Sequence, residues 1–160
     1  MEINLNAIGI IHTPFFDQEN TPIQSARSDA PGVFEVLFKY MDGLEGIEDF
    51  SHIILLYAFN RSPALTTLKV KPFLDDRHHG VFVTRYPVRP NALGLSVVRV
   101  VDRQENRVNF LGADMLDGTP LLDIKPYIPE TGAKERVKLG WLKAVLPELE
   151  ADRRGGVLKD

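Results

Sequence analysis

The chain has 160 residues, 44% of them hydrophobic and 26% charged, with a formal net charge of −3 and no cysteine. That is the size of one domain with a sizeable core. The lack of cysteine excludes disulfides, thiolate metal sites and a cysteine nucleophile, and the slight negative charge speaks against broad charge-driven nucleic-acid binding while leaving room for a local basic groove.

Ala7 to His12 reads as a first strand, ended by Thr13-Pro14. Residues 14–32 are polar and carry Pro14, Pro22 and Pro31 without an apolar period, so they read as a long loop, of a kind that is usually functional or disordered. Val33 to Phe38 is expected to be a strand, Met41-Asp42-Gly43 a turn, and Leu44 to Asp49 a short helical turn. Ser51 to Phe59 is nearly all apolar, which suits a strand buried on both faces. Leu65 to Val70 and Val81 to Thr84 are shorter strand candidates on either side of a charged loop. Gly94 to Val101 and Arg107 to Leu111 read as a strand pair, with Leu95, Val97, Arg99 and Val101 on one face and Ser96, Val98 and Val100 on the other. Pro120 to Ile124 is the last strand. From Val137 onward, Leu142, Val145, Leu146 and Leu149 recur near helical spacing, interrupted by Pro147. Short strands punctuated by Gly and Pro indicate a mainly all-β fold, a small closed or partly open barrel with a minor C-terminal helix. No apolar run reaches transmembrane length. Met1 to Asn6 lacks a basic region followed by an apolar one, so no secretory signal and a cytoplasmic location are expected.

Two loop-rich segments stand out, Thr84 to Ser96 and Leu111 to Tyr127. Each places Arg, Asn, Asp and Thr among prolines and glycines, which hold a loop in one shape. Asp117-Gly118-Thr119-Pro120 is a turn signature, read either as a plain β-turn or as a loop whose backbone is held open to a ligand. Arg85 and Arg89 can form a fork for a carboxylate or phosphate, or a surface salt bridge. Asn91 can cap its turn or read a base or amide edge. His12 and His52, isolated in apolar runs, read as structural, and the adjacent His78 and His79 point to opposite faces, which disfavours a shared metal.

Five motifs occur in order: Ile8 to Phe15, Gly46 to Ile53, Gly80 to Arg85, Arg89 to Ser96, and Asp114-Met115-Leu116-Asp117-Gly118-Thr119-Pro120-Leu121-Leu122-Asp123-Ile124-Lys125-Pro126-Tyr127. Together they resemble the TsaA-like domain, the catalytic domain of TrmO-type tRNA methyltransferases, over residues 6 to 129. The resemblance implies one β-barrel domain over 1–160, with 130–160 as a helical extension. It implies S-adenosyl-L-methionine as cofactor, a homodimer, and N6-methylation of threonylcarbamoyladenosine next to the anticodon of tRNA. It places cofactor contacts at Gln24, Ser25, Ala26 and Arg27, at Asn60 and Arg61, at Arg85 and Leu95, and at Met115, Leu116, Asp117 and Gly118. The chain has Ala92 where the family usually has Pro, and Asn60 where His is common.

Methyl transfer from a sulfonium needs alignment more than acid–base machinery, so the absence of a triad or metal cluster in the sequence fits. A carbamoylated N6 is a poor nucleophile with an acidic N–H, which a nearby base would help. Asp114, Asp117 and Tyr127 are the candidate catalytic residues. Arg89, Asn91 and Lys125 are the candidate substrate contacts, and Arg27, Lys69, Lys71, Arg77, Arg85, Arg89 and Lys125 a candidate basic groove. No metal or membrane partner is expected. The alternatives are a non-catalytic S-adenosylmethionine-binding module and a methyltransferase with another substrate.

Overall fold

Residues 31–36 and 52–58 alternate between buried and half-covered, and six strands close into a barrel, where the inward apolar face of each is covered by the others. The computed structural model describes residues 1–23, 28–128 and 140–145. The strands are β1 (Gly9–His12), β2 (Pro31–Val36), β3 (His52–Ala58), β4 (Lys69–Val70), β5 (His79–Gly80), β6 (Leu93–Gln104), β7 (Arg107–Leu111) and β8 (Thr119–Pro126), with a short α1 (Leu142–Val145). The barrel order is β1-β2-β7-β6-β3-β8, all neighbours antiparallel, and β4 with β5 forms a separate ribbon.

Ile11, Phe34, Ile53, Leu55, Val98, Val108, Phe110 and Leu121 fill the interior, each no more than 1% exposed. Phe34 and Phe110 meet at a centroid distance of 6.1 Å. Burying side chains of this kind stabilises by roughly 1.5–3 kcal/mol each.

Antiparallel register sorts the connections between two ends. His12, Pro31, Ala58, Leu93, Leu111 and Thr119 stand at one end, the site end. Val36, His52, Gln104, Arg107 and Pro126 stand at the other, the far end. The far end is pinned by buried Asn106, whose Nδ2 donates to the Val36 carbonyl at 2.7 Å while its own carbonyl accepts from Val36 N at 2.9 Å.

Several expectations shift. The second strand ends at Val36; Leu37 and Phe38 turn outward and a 3-10 helix runs Phe38–Leu44. β3 is not buried on both faces: Ile53, Leu55 and Tyr57 face in, and Ile54, Leu56 and Ala58 are only half-covered outside. Of Leu65 to Val70, Lys69–Val70 alone is strand. Val81–Val83 is a 3-10 turn, because Thr84 N and Oγ1 both donate to the Val81 carbonyl, at 3.2 and 2.9 Å. The predicted faces of β6 hold, with Ser96 and Val98 buried and Leu95, Arg99 and Val101 exposed. The helix expected from Val137 is present at Leu142–Val145; its other positions, Val137, Leu146 and Leu149, lie outside the described residues.

Candidate functional site at one mouth of the barrel

The site is built on a cross-strand accident of size. Gly94 stands directly opposite Tyr57, and a Cβ there would run into the Tyr57 ring. With no side chain at 94, the ring lies across β6 and reaches the diagonal neighbour Ser96. Tyr57 OH lies 3.0 Å from Ser96 Oγ, and Ser96 Oγ donates to Asp114 Oδ1 at 2.6 Å. Since Ser96 spends its proton on Asp114, Tyr57 is the donor to Ser96. Tyr57 is 3% exposed and Ser96 2%. Burial, then the charge of Asp114, push the Tyr57 hydroxyl far above its ordinary value, against smaller lowering effects of the Ser96 hydrogen bond and Arg85. A bulge in the β3–β8 pairing falls between Leu56 and Tyr57, next to this relay.

The loop 112–118 is tied across the mouth. Ala30 carbonyl accepts from Gly112 N at 3.0 Å and Ala113 N at 3.1 Å, and Ser28 Oγ donates to the Ala113 carbonyl at 2.6 Å. Asp117 Oδ1 accepts from Thr13 N at 3.1 Å and lies 3.3 Å from His12 Nδ1. Thr13 Oγ1 donates to the Met115 carbonyl at 2.8 Å, and Thr119 Oγ1 to that of Leu116 at 2.6 Å. Asp117 N donates to Phe15 O at 2.7 Å and Gly118 N to Ile11 O at 2.9 Å. These bonds correct one expectation. Much of the backbone of 115–118 is engaged with its own chain rather than held open: the Met115 and Leu116 carbonyls and the Asp117 and Gly118 amides are all bonded. Gly118 sits at φ 77°, where a Cβ would come 3.3 Å from Arg61 Nη2, so the glycine lets that guanidinium close over the turn.

Asp114, Met115, Leu116, Asp117, Gly118 and Arg61 are therefore assembled at one mouth, with Arg85 near enough to act on Tyr57. Arg61 and Arg85 have no ion-pair partner among the described residues. Exposed Asn60 follows the end of β3 beside Arg61. Arg89 does not fork with Arg85: its Nη1 donates to the Thr84 carbonyl at 3.2 Å and braces its own loop. Asn91 is exposed, its carbonyl accepting from Leu93 N at 2.7 Å. Leu95 points to the outer face beside Leu56, away from Ser96.

Tyr127 is not brought to Asp114 and Asp117 by its own chain. It lies past Pro126, which pairs with Ile53, whereas Tyr57 pairs with Leu121; six residues of strand put it about 20 Å along the barrel. There its ring meets His52 edge-on at 6.4 Å. Lys125 is also toward that end and pairs with Asp123 at 2.8 Å, so it leaves the expected basic groove. Gln24 to Arg27 lie outside the described residues. Among the described residues, no group of three or more His, Cys, Asp or Glu is placed to hold a metal ion. Sequence reasoning did not single out Tyr57, Ser96 or Thr13, and it read His12 as structural. The one available signal was a lone hydroxyl on the inward face of β6.

The family model of the tRNA-methyltransferase O N-terminal domain matches residues 10–133. The chain belongs to this family. It is 49% identical over 150 residues to a probable S-adenosyl-L-methionine-binding protein of Pyrococcus abyssi, covering 93% of this chain and 81% of that one. It is 41% identical over 98 residues to the tRNA (adenine(37)-N6)-methyltransferase of Mus musculus, covering 60% of this chain and 23% of that protein. The crystal structure of TrmO from Pseudomonas aeruginosa superposes with a TM-score of 0.70 at 35% identity, over 88% of this chain and 63% of that one. The chain thus spans less than two thirds of that TrmO chain.

The mouth fits the cofactor named for these relatives. A methionyl tail carries a carboxylate and an ammonium beside a sulfonium; two guanidiniums without ion-pair partners and two carboxylates supply matching charge. Arg61 and Arg85 could hold the carboxylate, and the Asp114–Asp117 segment could face the cationic groups.

Proposed function

We propose that the chain is an S-adenosylmethionine-dependent methyltransferase acting on the N6 of an adenosine in tRNA, in its finer form threonylcarbamoyladenosine next to the anticodon. The observation that carries this reading is the Asp114 carboxylate held at the barrel mouth by the buried Ser96–Tyr57 pair, in a TrmO-family domain. The cofactor supplies a methyl group already activated on a positive sulfur. Ser96 fixes Asp114 Oδ1, and Tyr57, kept protonated, fixes Ser96. Asp114 accepts the proton that N6 gives up as the nitrogen takes the methyl. Asp117, tied to His12 and Thr13, holds the loop in register with β1. The hydrogen bonds that fix Asp114 and Asp117 favour alignment of the reacting groups.

A homodimer in the cytoplasm is part of this reading. Its support is the outer face of β3 and β6, where Leu93 is 44% exposed, Leu95 48% and Val101 53%. A face like this is suited to a second copy. No helix among the described residues is long and apolar enough to cross a membrane. A second reading, cofactor binding without catalysis, is favoured by the name of the Pyrococcus relative. Transfer of labelled methyl to tRNA with and without threonylcarbamoyladenosine separates the two. Label confined to the modified tRNA is expected; bound cofactor with no label in either tRNA overturns the enzyme reading.

A further inference from the structure

Between β3 and β6 the chain leaves the barrel at the site end and makes an excursion over residues 66–91. It carries five basic side chains against two acidic ones, a net of +3 in a chain whose total is −3. Both acids are already matched: Asp76 pairs with Lys71 at 2.8 Å, and Asp75 with Arg77 and His79, each at 2.9 Å. Lys69 and Arg85 have no ion-pair partner among the described residues, and Arg89 touches only a carbonyl.

The same excursion leaves large apolar side chains in water. Phe82 is 72% exposed, Val83 59%, Leu68 58% and Phe73 55%. The backbone under them is fixed. Lys69 pairs with Gly80, Val81 N donates to the Leu68 carbonyl at 2.8 Å, and Phe73 packs on Tyr86 at 5.5 Å. Trp141 closes the back: its Nε1 donates to the Val83 carbonyl at 2.8 Å and its ring stacks on His79 at 4.3 Å. Presented aromatics beside unmatched cations are the means of gripping single-stranded nucleic acid, by base stacking and phosphate contact. A two-fold dimer through this patch would set its positive charge against itself.

Building on the tRNA reading above, we infer that the 66–91 excursion is the RNA-docking surface of the domain. Phe82 is the platform for an unstacked base, and Lys69 contacts a flanking phosphate. An adenine N6 is reached only when the base is taken out of its stack, and a platform beside the mouth holds the neighbouring base while that happens.

The test uses the full chain, S-adenosylmethionine, and tRNA. Phe82→Ala is expected to weaken tRNA binding about 5- to 100-fold. Lys69→Ala should reduce the salt dependence of binding by about 0.7 in log–log slope. Both should leave cofactor affinity by calorimetry as in the wild type. Trp141 is the one tryptophan of the sequence, so its fluorescence should change when tRNA binds. Phe38→Ala, an aromatic 69% exposed at the far end, should leave tRNA affinity unchanged. Wild-type methylation with Phe82→Ala and Lys69→Ala binding tRNA normally would overturn the surface and spare the function. Phe82→Ala changing only the oligomeric state, or tightening with anionic vesicles rather than tRNA, would also overturn it. Cofactor binding by a wild type that binds no RNA would overturn both.

Discussion

The two ends of the barrel are closed by the same kind of bond and do different things with it. At the far end, Asn106 exchanges two hydrogen bonds with the Val36 backbone, a neutral group meeting neutral groups. At the site end, a tyrosine and a serine are buried in line, and their bonds terminate on a carboxylate at the rim. A buried polar pair is costly unless satisfied. The far end uses its polar group to seal the barrel; the site end uses its pair to fix an acid in place.

Asp114→Asn is the strongest way to break this contrast. It keeps the shape and removes the proton acceptor, so kcat should fall about 100- to 10,000-fold. Tyr127→Phe, at the other end, should leave steady-state turnover on the same tRNA unchanged. Equal losses in the two variants would mean that the ends are not functionally distinct.

Gly94→Ala comes next. The added methyl must displace the Tyr57 ring, at a cost of about 1–3 kcal/mol in unfolding free energy. It should lower kcat as well, because the ring is what holds Ser96. Denaturant melts without a shift would show that the close approach of β3 and β6 is not as described.

The smallest effect is a pH dependence. In the unfolded chain Tyr57 ionises near its ordinary value of 10.0, whereas in the fold it stays protonated to higher pH. The folded state then binds more protons, so this contribution is fully present below about pH 10 and is lost as pH rises beyond it. Tyr57→Phe should flatten that alkaline loss of stability in melts taken across the range. An unchanged alkaline slope would mean that the hydroxyl is not desolvated.

The barrel was legible where one strand alone carries the signal. The apolar run Ser51 to Phe59 and the alternation from Gly94 to Val101 both became strands, because burying one face is decided locally. The triplet Val81-Phe82-Val83 misled, since three apolar residues do not distinguish a strand from a 3-10 turn, and only Val81 is buried. Motif resemblance singled out Asp114, Asp117 and Arg61, which the fold gathers at one mouth. The Tyr57–Ser96 bond was not, because it joins positions 39 apart and exists only once register puts Gly94 opposite the ring. Tyr127 is likewise set apart from Asp114 within its own chain, because sequence adjacency to the Asp114 motif says nothing of the strand that carries it away.

The most direct test of the account is an amide chemical-shift titration of the labelled protein with S-adenosylmethionine. Shifts should appear at Thr13, Arg61, Gly94, Ser96 and residues 112–118, with Leu44, His52, Asn106 and Tyr127 unmoved. Shifts centred on Asn106 and His52, with the 112–118 loop silent, would contradict it.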